Sequence, residues 1–155
     1  MVLKNIPLSF VLILLFVSAC NSTKKTENNY VRYVNPLIGT DFTGNTYPGA
    51  QVPFGMVQLS PDNGLPGWDR IAGYFYPDST IAGFSHTHLS GTGAGDLYDV
   101  SFMPVTLPYR EAPQPLGIYS SFSHDDESVS AGYYQVLLKD YGIHVELTAS
   151  LCCEI

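Results

Sequence analysis

Tyr133-Tyr134-Gln135-Val136-Leu137-Leu138-Lys139-Asp140-Tyr141-Gly142-Ile143-His144-Val145-Glu146-Leu147-Thr148 decides the fold class. Tyr134, Val136 and Leu138 alternate with Tyr133, Gln135, Leu137 and Lys139. Beyond the turn predicted around Asp140-Tyr141-Gly142, Ile143, Val145 and Leu147 alternate with His144, Glu146 and Thr148. Successive strand side chains point to opposite faces, so each segment offers one apolar face and one largely polar face. A half-buried antiparallel pair has this pattern. His144 falls on the polar face and reads as structural surface.

The rest of the chain extends the pattern in shorter pieces. Strands are predicted at Val31 to Val34, Met56 to Leu59, Ile71 to Tyr76, Ile81 to Leu89 and Val100 to Leu107, the last interrupted by Pro104. Pro61-Asp62-Asn63-Gly64 reads as a turn, and Ser123 to Ser128 as an acidic, solvated loop. No segment carries a 3.6-residue apolar period. Eleven Tyr, eight Phe, fourteen Gly and eleven Pro, against 14% charged residues, favour strands and turns over helices. The expectation is an all-β chain, an antiparallel β-sandwich at residues 30–149 that is incomplete as it stands. A formal charge of −7, with no basic cluster beyond Lys24-Lys25, argues against nucleic acid as a partner.

Residues 1–19 read as a targeting segment rather than as fold. Lys4 supplies a positive start, and Leu8 to Val17 is an apolar run too short to span a membrane. The segment ends Val17-Ser18-Ala19-Cys20, which resembles the lipobox of bacterial lipoproteins. That resemblance implies cleavage before Cys20, a lipid on its thiol and residence in the bacterial cell envelope, in the periplasm or on the outer-membrane surface. Ordinary secretion is the competing reading. Residues 20–29 are polar and aperiodic and read as a tether. Residues 150–155, with adjacent Cys152 and Cys153, read as an atypical tail left by a truncation or a shifted frame.

Gly83 to Asp99 gathers the most chemistry. On a strand, His86 and His88 share a face, and a glycine-punctuated loop follows with Asp96 and Asp99. The residues leave several readings open: an outward strand face, two satisfied histidines at a domain contact, or a metal site of His86, His88 and Asp96. A phosphate loop fits poorly, because the segment after the glycines reads as strand and not as an opening helix. No Asp-rich calcium loop occurs, and no metal site is assigned.

Three stretches carry a more specific signal. They are Asn35-Pro36-Leu37-Ile38-Gly39-Thr40 running on to Tyr47 through Asp62, Gly67-Trp68-Asp69-Arg70 with Gly73-Tyr74, and Gly83 through Gly93. In this order and spacing they resemble the N-terminal domain of glycoside hydrolase family 92, the calcium-dependent, exo-acting α-mannosidases. The resemblance implies a β-sandwich packed on a larger (α/α)6 barrel, and inverting hydrolysis of terminal α-mannosides, with α-1,2 linkages expected. Inversion needs an acid and a base carboxylate roughly 6.5–9.5 Å apart. By the resemblance that pair and the calcium ligands belong to the barrel, so no catalytic residue is assigned here and these 155 residues alone are expected to be inactive.

What the resemblance leaves to this chain is sugar contact. Trp68 is the single tryptophan, and indole stacks on a pyranose face. Asp69 and Arg70 offer hydrogen bonds to hydroxyls, and Phe54, Gly55, His86 and His88 are weaker candidates for the same wall. Trp68 as a core anchor beside a structural Asp69–Arg70 pair is the alternative. The functions to separate are therefore the N-terminal part of a lipid-anchored α-mannosidase acting on α-mannoside glycans and a non-catalytic carbohydrate-binding β-sandwich on the cell envelope.

Overall fold

The computed structural model describes residues 29–91, 95, 97–109, 111 and 117–151. Its regular elements are strands β1 (Ser60–Asp62), β2 (Thr80–Ile81), β3 (Gly83–Ser85), β4 (Ser120–Ser121), β5 (Glu127–Ser130), β6 (Tyr133–Leu138) and β7 (Ile143–Thr148), with short 3-10 turns between them. All pairings between these strands are antiparallel: β1 with β3, β2 with β4, and β5, β6 and β7 in that order. The all-β expectation is met. The signal segment, the tether to residue 28, Cys20, Asp96, Cys152 and Cys153 lie outside the described residues. Among the described residues no helix is long and apolar enough to cross a membrane.

The β6–β7 hairpin has the predicted register, Tyr134 facing Leu147, Val136 facing Val145 and Leu138 facing Ile143. Tyr134, Val136 and Leu138 are fully buried, and His144 and Glu146 face solvent. Gly142 closes the turn at φ +65°, a conformation only glycine adopts freely. The buried face of β6 meets Ile81, Phe84, Phe122 and Tyr74 in one core.

Inside that core sits a carboxylate. Glu127 accepts hydrogen bonds from Tyr74 Oη (2.9 and 3.1 Å), Tyr134 Oη (2.7 Å) and His124 Nδ1 (2.6 Å). Three donors offset the cost of removing the charge from water. The expected solvated loop is thus half right. Asp125 and Asp126 are exposed, whereas Glu127 turns inward at the start of β5 and its side chain is 2% exposed.

Met56 to Leu59 keeps only the Leu59 bridge to Ala50, Ile81 to Leu89 divides into β2 and β3 and ends at Ser85, and four other local expectations fail for identifiable reasons. Val31 to Val34 is not a strand: Tyr30–Tyr33 forms a 3-10 turn with no buried face. Pro61 and Asp62 belong to β1 and not to a turn, since Pro61 is buried against β3. Asn63, also buried, replaces the expected turn contacts by donating from Nδ2 to the Thr80 carbonyl (2.7 Å) and accepting from Phe75 N–H. Ile71 to Tyr76 is apolar because it is buried, not because it pairs, and Gly73 at φ +88° breaks any extended run. Val100 to Leu107 reduces to one bridge, Phe102 to Phe84, because Leu97, Tyr98 and Val100 have positive φ.

Candidate functional site

A cleft of about 390 Å³ with polar groups in its lining opens beside the β1–β3 pair. Gly64, Leu65, Pro66 and Arg70 form one wall, Tyr98 and Ser101 the other, and Asp62 and Gly73 the floor. Arg70 is held in its wall by a bidentate pair with Asp78, Nε to Oδ2 and Nη2 to Oδ1, both 2.6 Å, and by its position over the Phe75 ring. That fork matches carboxylate geometry, and it raises the guanidinium above its already high ordinary value. The alternative Asp69–Arg70 pair is therefore replaced by Arg70–Asp78, while Asp69 stays exposed.

Asp62 is fixed from below. His88 Nε2 lies 2.9 Å from Asp62 Oδ1, and His88 Nδ1 donates to the Gln58 carbonyl at 2.6 Å. The imidazole is fully buried, packed near the Tyr47 and Tyr98 rings. Ser85 Oγ approaches the same Nε2 at 3.1 Å. A hydrolytic Ser-His-Asp relay needs serine and carboxylate on opposite ring nitrogens. Here both meet one nitrogen and a backbone carbonyl takes the other, so the trio is a support and not a nucleophile system.

The two histidines do not share a face, contrary to expectation. β3 ends at Ser85 and the chain bends at His86, so strand alternation is lost between them. His86 lines a separate, mostly apolar groove of about 430 Å³ with Phe84, Phe102, Met103, Val145 and Leu147. Its ring meets Phe102 edge-on and bonds the Val100 carbonyl. Phe54 is fully exposed at φ +61° in a tight turn with Gly55, and neither residue lines the cleft. Trp68, 58% exposed, stands with Asp69 on the 3-10 turn Trp68–Arg70, in the same loop as the cleft wall. A core role for Trp68 is excluded by that exposure.

Of the expected contact residues, the structure brings Arg70 to the cleft lining and His88 behind it through Asp62, while Trp68 and Asp69 share Arg70's 3-10 turn without lining the cleft. Phe54, Gly55 and His86 lie elsewhere. Reading the motifs missed Asp62, Gly73 and Tyr98. Asp62 closes the first family-like stretch, but its Pro-Asp-Asn-Gly context reads as a turn. Among the described residues no three His, Cys, Asp or Glu side chains converge as a metal site. Among the described residues Asp62 is the single carboxylate lining the cleft, whereas calcium takes about six to eight oxygen ligands. The described residues therefore do not fit a calcium site.

Comparison with known proteins gives concordant results. The family described as glycosyl hydrolase family 92 N-terminal domain matches residues 33–153. A family 92 α-mannosidase of Bacteroides thetaiotaomicron, solved with mannoimidazole, is 47% identical with a TM-score of 0.72 over 78% of this chain. A second solved protein of that organism, an inverting mannosidase of the family, is 32% identical over 77% of this chain with a TM-score of 0.58. A secreted glycosidase of Arthroderma benhamiae, described as uncharacterized, is 40% identical over 67 residues, 43% of this chain and 8% of its own length. The chain spans 17% and 16% of the two solved relatives.

Proposed function

The chain belongs to glycoside hydrolase family 92 as its N-terminal domain, and from that premise we propose that it is the sugar-contacting part of a lipid-anchored, exo-acting α-mannosidase. The observation that carries the reading is the 47% identity to an α-mannosidase across 78% of the chain. The mannoimidazole held by that relative supports a terminal mannoside as the substrate class. The relative described as inverting supports inversion as the stereochemical course.

In this reading the chain's own residues bind and orient. Trp68 presents an exposed indole face for a pyranose ring, and Arg70, Tyr98 and Asp62 line the neighbouring pocket. Holding the sugar in one pose lowers the entropic part of the barrier without any proton transfer in this domain. Acid, base and calcium ligands are assigned to the remainder of the protein. Calcium, when bound there, supplies positive charge that orients sugar and water. The α-1,2 preference and the lipid on Cys20, which fixes the enzyme in the bacterial envelope, belong to the same proposal.

A chimera tests it. Residues 33–153 replace the matching segment of the 47%-identical mannosidase, and release of mannose from an α-mannoside is measured. Activity supports the reading, and a folded but inactive chimera overturns it. That the described residues put one carboxylate in the cleft favours, as the second reading, a carbohydrate-binding module that works without catalysis.

A further inference from the structure

His88 is costly to bury for packing alone. Its side chain has no exposure, yet both ring nitrogens are bonded, one to the Gln58 carbonyl and one to a carboxylate that reaches the cleft. The Asp62 side chain retains 16% exposure, and its Oδ2 has no partner among the described residues. The floor is shaped around this carboxylate. A Cβ on Gly73 lies 2.4 Å from Asp62 Oδ1 and 3.1 Å from the His88 ring, distances that admit no side chain. Gly73 also sits at φ +88°. A charged acceptor is thus clamped from beneath, with one oxygen left for the cleft.

We propose that Asp62 is the hydroxyl acceptor of this cleft, taking adjacent hydroxyls of a pyranose, and that His88 is the positioning residue that aims it. The assignment rests on the reading of the cleft as a sugar site. A carboxylate suits two neighbouring sugar O–H donors because it is acceptor-only and has two oxygens. With Nδ1–H given to the Gln58 carbonyl, Nε2 holds Asp62 Oδ1 as a second N–H, so the two form an imidazolium–carboxylate pair in which Nε2 sets the direction of the other oxygen. The Gln58 carbonyl on Nδ1 prevents the imidazole from turning away. Tyr98, whose hydroxyl donates to the Ile71 carbonyl, walls the same space.

The test uses methyl α-D-mannopyranoside and the full 155-residue chain, with binding read from amide and carboxyl NMR shifts. His88→Gln keeps a donor where Nε2 stood and loses the bond to Gln58. His88→Asn keeps the Gln58 bond and loses the one to Asp62. A positioning role predicts that Asp62→Ala and His88→Asn weaken binding by roughly tenfold or more, while His88→Gln stays within about threefold of the parent. A purely structural role predicts the reverse order for Gln and Asn.

If His88 variants do not fold, the parent chain still decides the question, since mannoside must shift the Asp62 carboxyl and Gly73 amide resonances. Binding that leaves those resonances unmoved, or that survives in folded His88→Asn, overturns the assignment and leaves the mannosidase reading standing. No binding by the parent chain overturns the assignment as well, and the chimera then judges the enzyme reading separately.

Discussion

The hydroxyl of Tyr74 lies within 2.9 and 3.1 Å of the two carboxylate oxygens of Glu127, fifty-three residues further along the chain. Tyr134 and His124 complete the set around the same carboxylate. One charge thereby ties the segment behind the cleft to the β5–β6 pair. Glu127→Ala strands two buried phenols and an imidazole, and the expected loss is about 3 kcal/mol. Urea melts of parent and variant measure it. A change below about 0.5 kcal/mol, the size of an ordinary surface substitution, sinks the account.

The same cluster gives a pH dependence. Burial first, and then the Glu127 charge, push the phenols of Tyr74 and Tyr134 above their usual value. Unfolded phenols ionise near pH 10 while the folded ones keep their protons, so the stabilisation is complete below about pH 10 and declines as pH rises beyond it. Tyr134→Phe is expected to flatten that decline. Melts at about pH 8 and about pH 11 compare the two proteins, and equal slopes count against the cluster as the cause.

Arg70 and Asp78 predict an effect at a distance. Asp78 does not line the cleft, but it holds the guanidinium that does. Asp78→Asn is expected to cost about 1–2 kcal/mol of stability and to weaken mannoside binding. Arg70→Lys should not rescue the wall, because an ammonium cannot make the fork. Unchanged binding in folded Asp78→Asn shows that the wall stands without the pair.

Trp68 separates binding from stability. At 58% exposure its removal should shift stability by no more than about 0.5 kcal/mol. In the chimera, Trp68→Ala is expected to lower kcat/KM by roughly tenfold through lost stacking on the sugar. A large fall in melting temperature with unchanged kinetics reverses the assignment.

The apolar groove beside β7 makes the fourth site of expected change. Phe102 is 61% exposed there, next to Leu147 and Met103, and β7 is an edge strand among the described residues. Exposed apolar surface and open strand edges promote association. Phe102→Ser should therefore reduce concentration-dependent self-association in light scattering. Identical association by the variant assigns the tendency to another surface.

The legible part of this chain was the part governed by local periodicity. The β6–β7 hairpin follows from alternation alone, because one residue's slip reverses its buried and exposed faces. The exposure of Trp68 was legible because its neighbours are glycine and charged residues. Asp62 was not, since Pro-Asp-Asn-Gly favours a turn locally while burial of Pro61 and Asn63 imposes a strand. His86 and His88 diverge because the bend after Ser85 depends on distant bonds. His86 N–H meets the Asp99 carbonyl and its own carbonyl meets Gln58 N–H. No strand-alternation rule contains those bonds, one to the far end of the stretch and one to a separate segment.

Gly73 and Tyr74 are consecutive, yet one is the floor of the cleft and the other is bonded to the central carboxylate of the core. The floor is therefore no flap that closes over a guest. Its backbone is immobilised when the chain folds, so a ligand arriving later finds the ordering entropy already spent. Under the proposed reading, such a cleft takes a sugar as a mould takes a casting. It discriminates by refusing shapes and has little capacity to adapt to them.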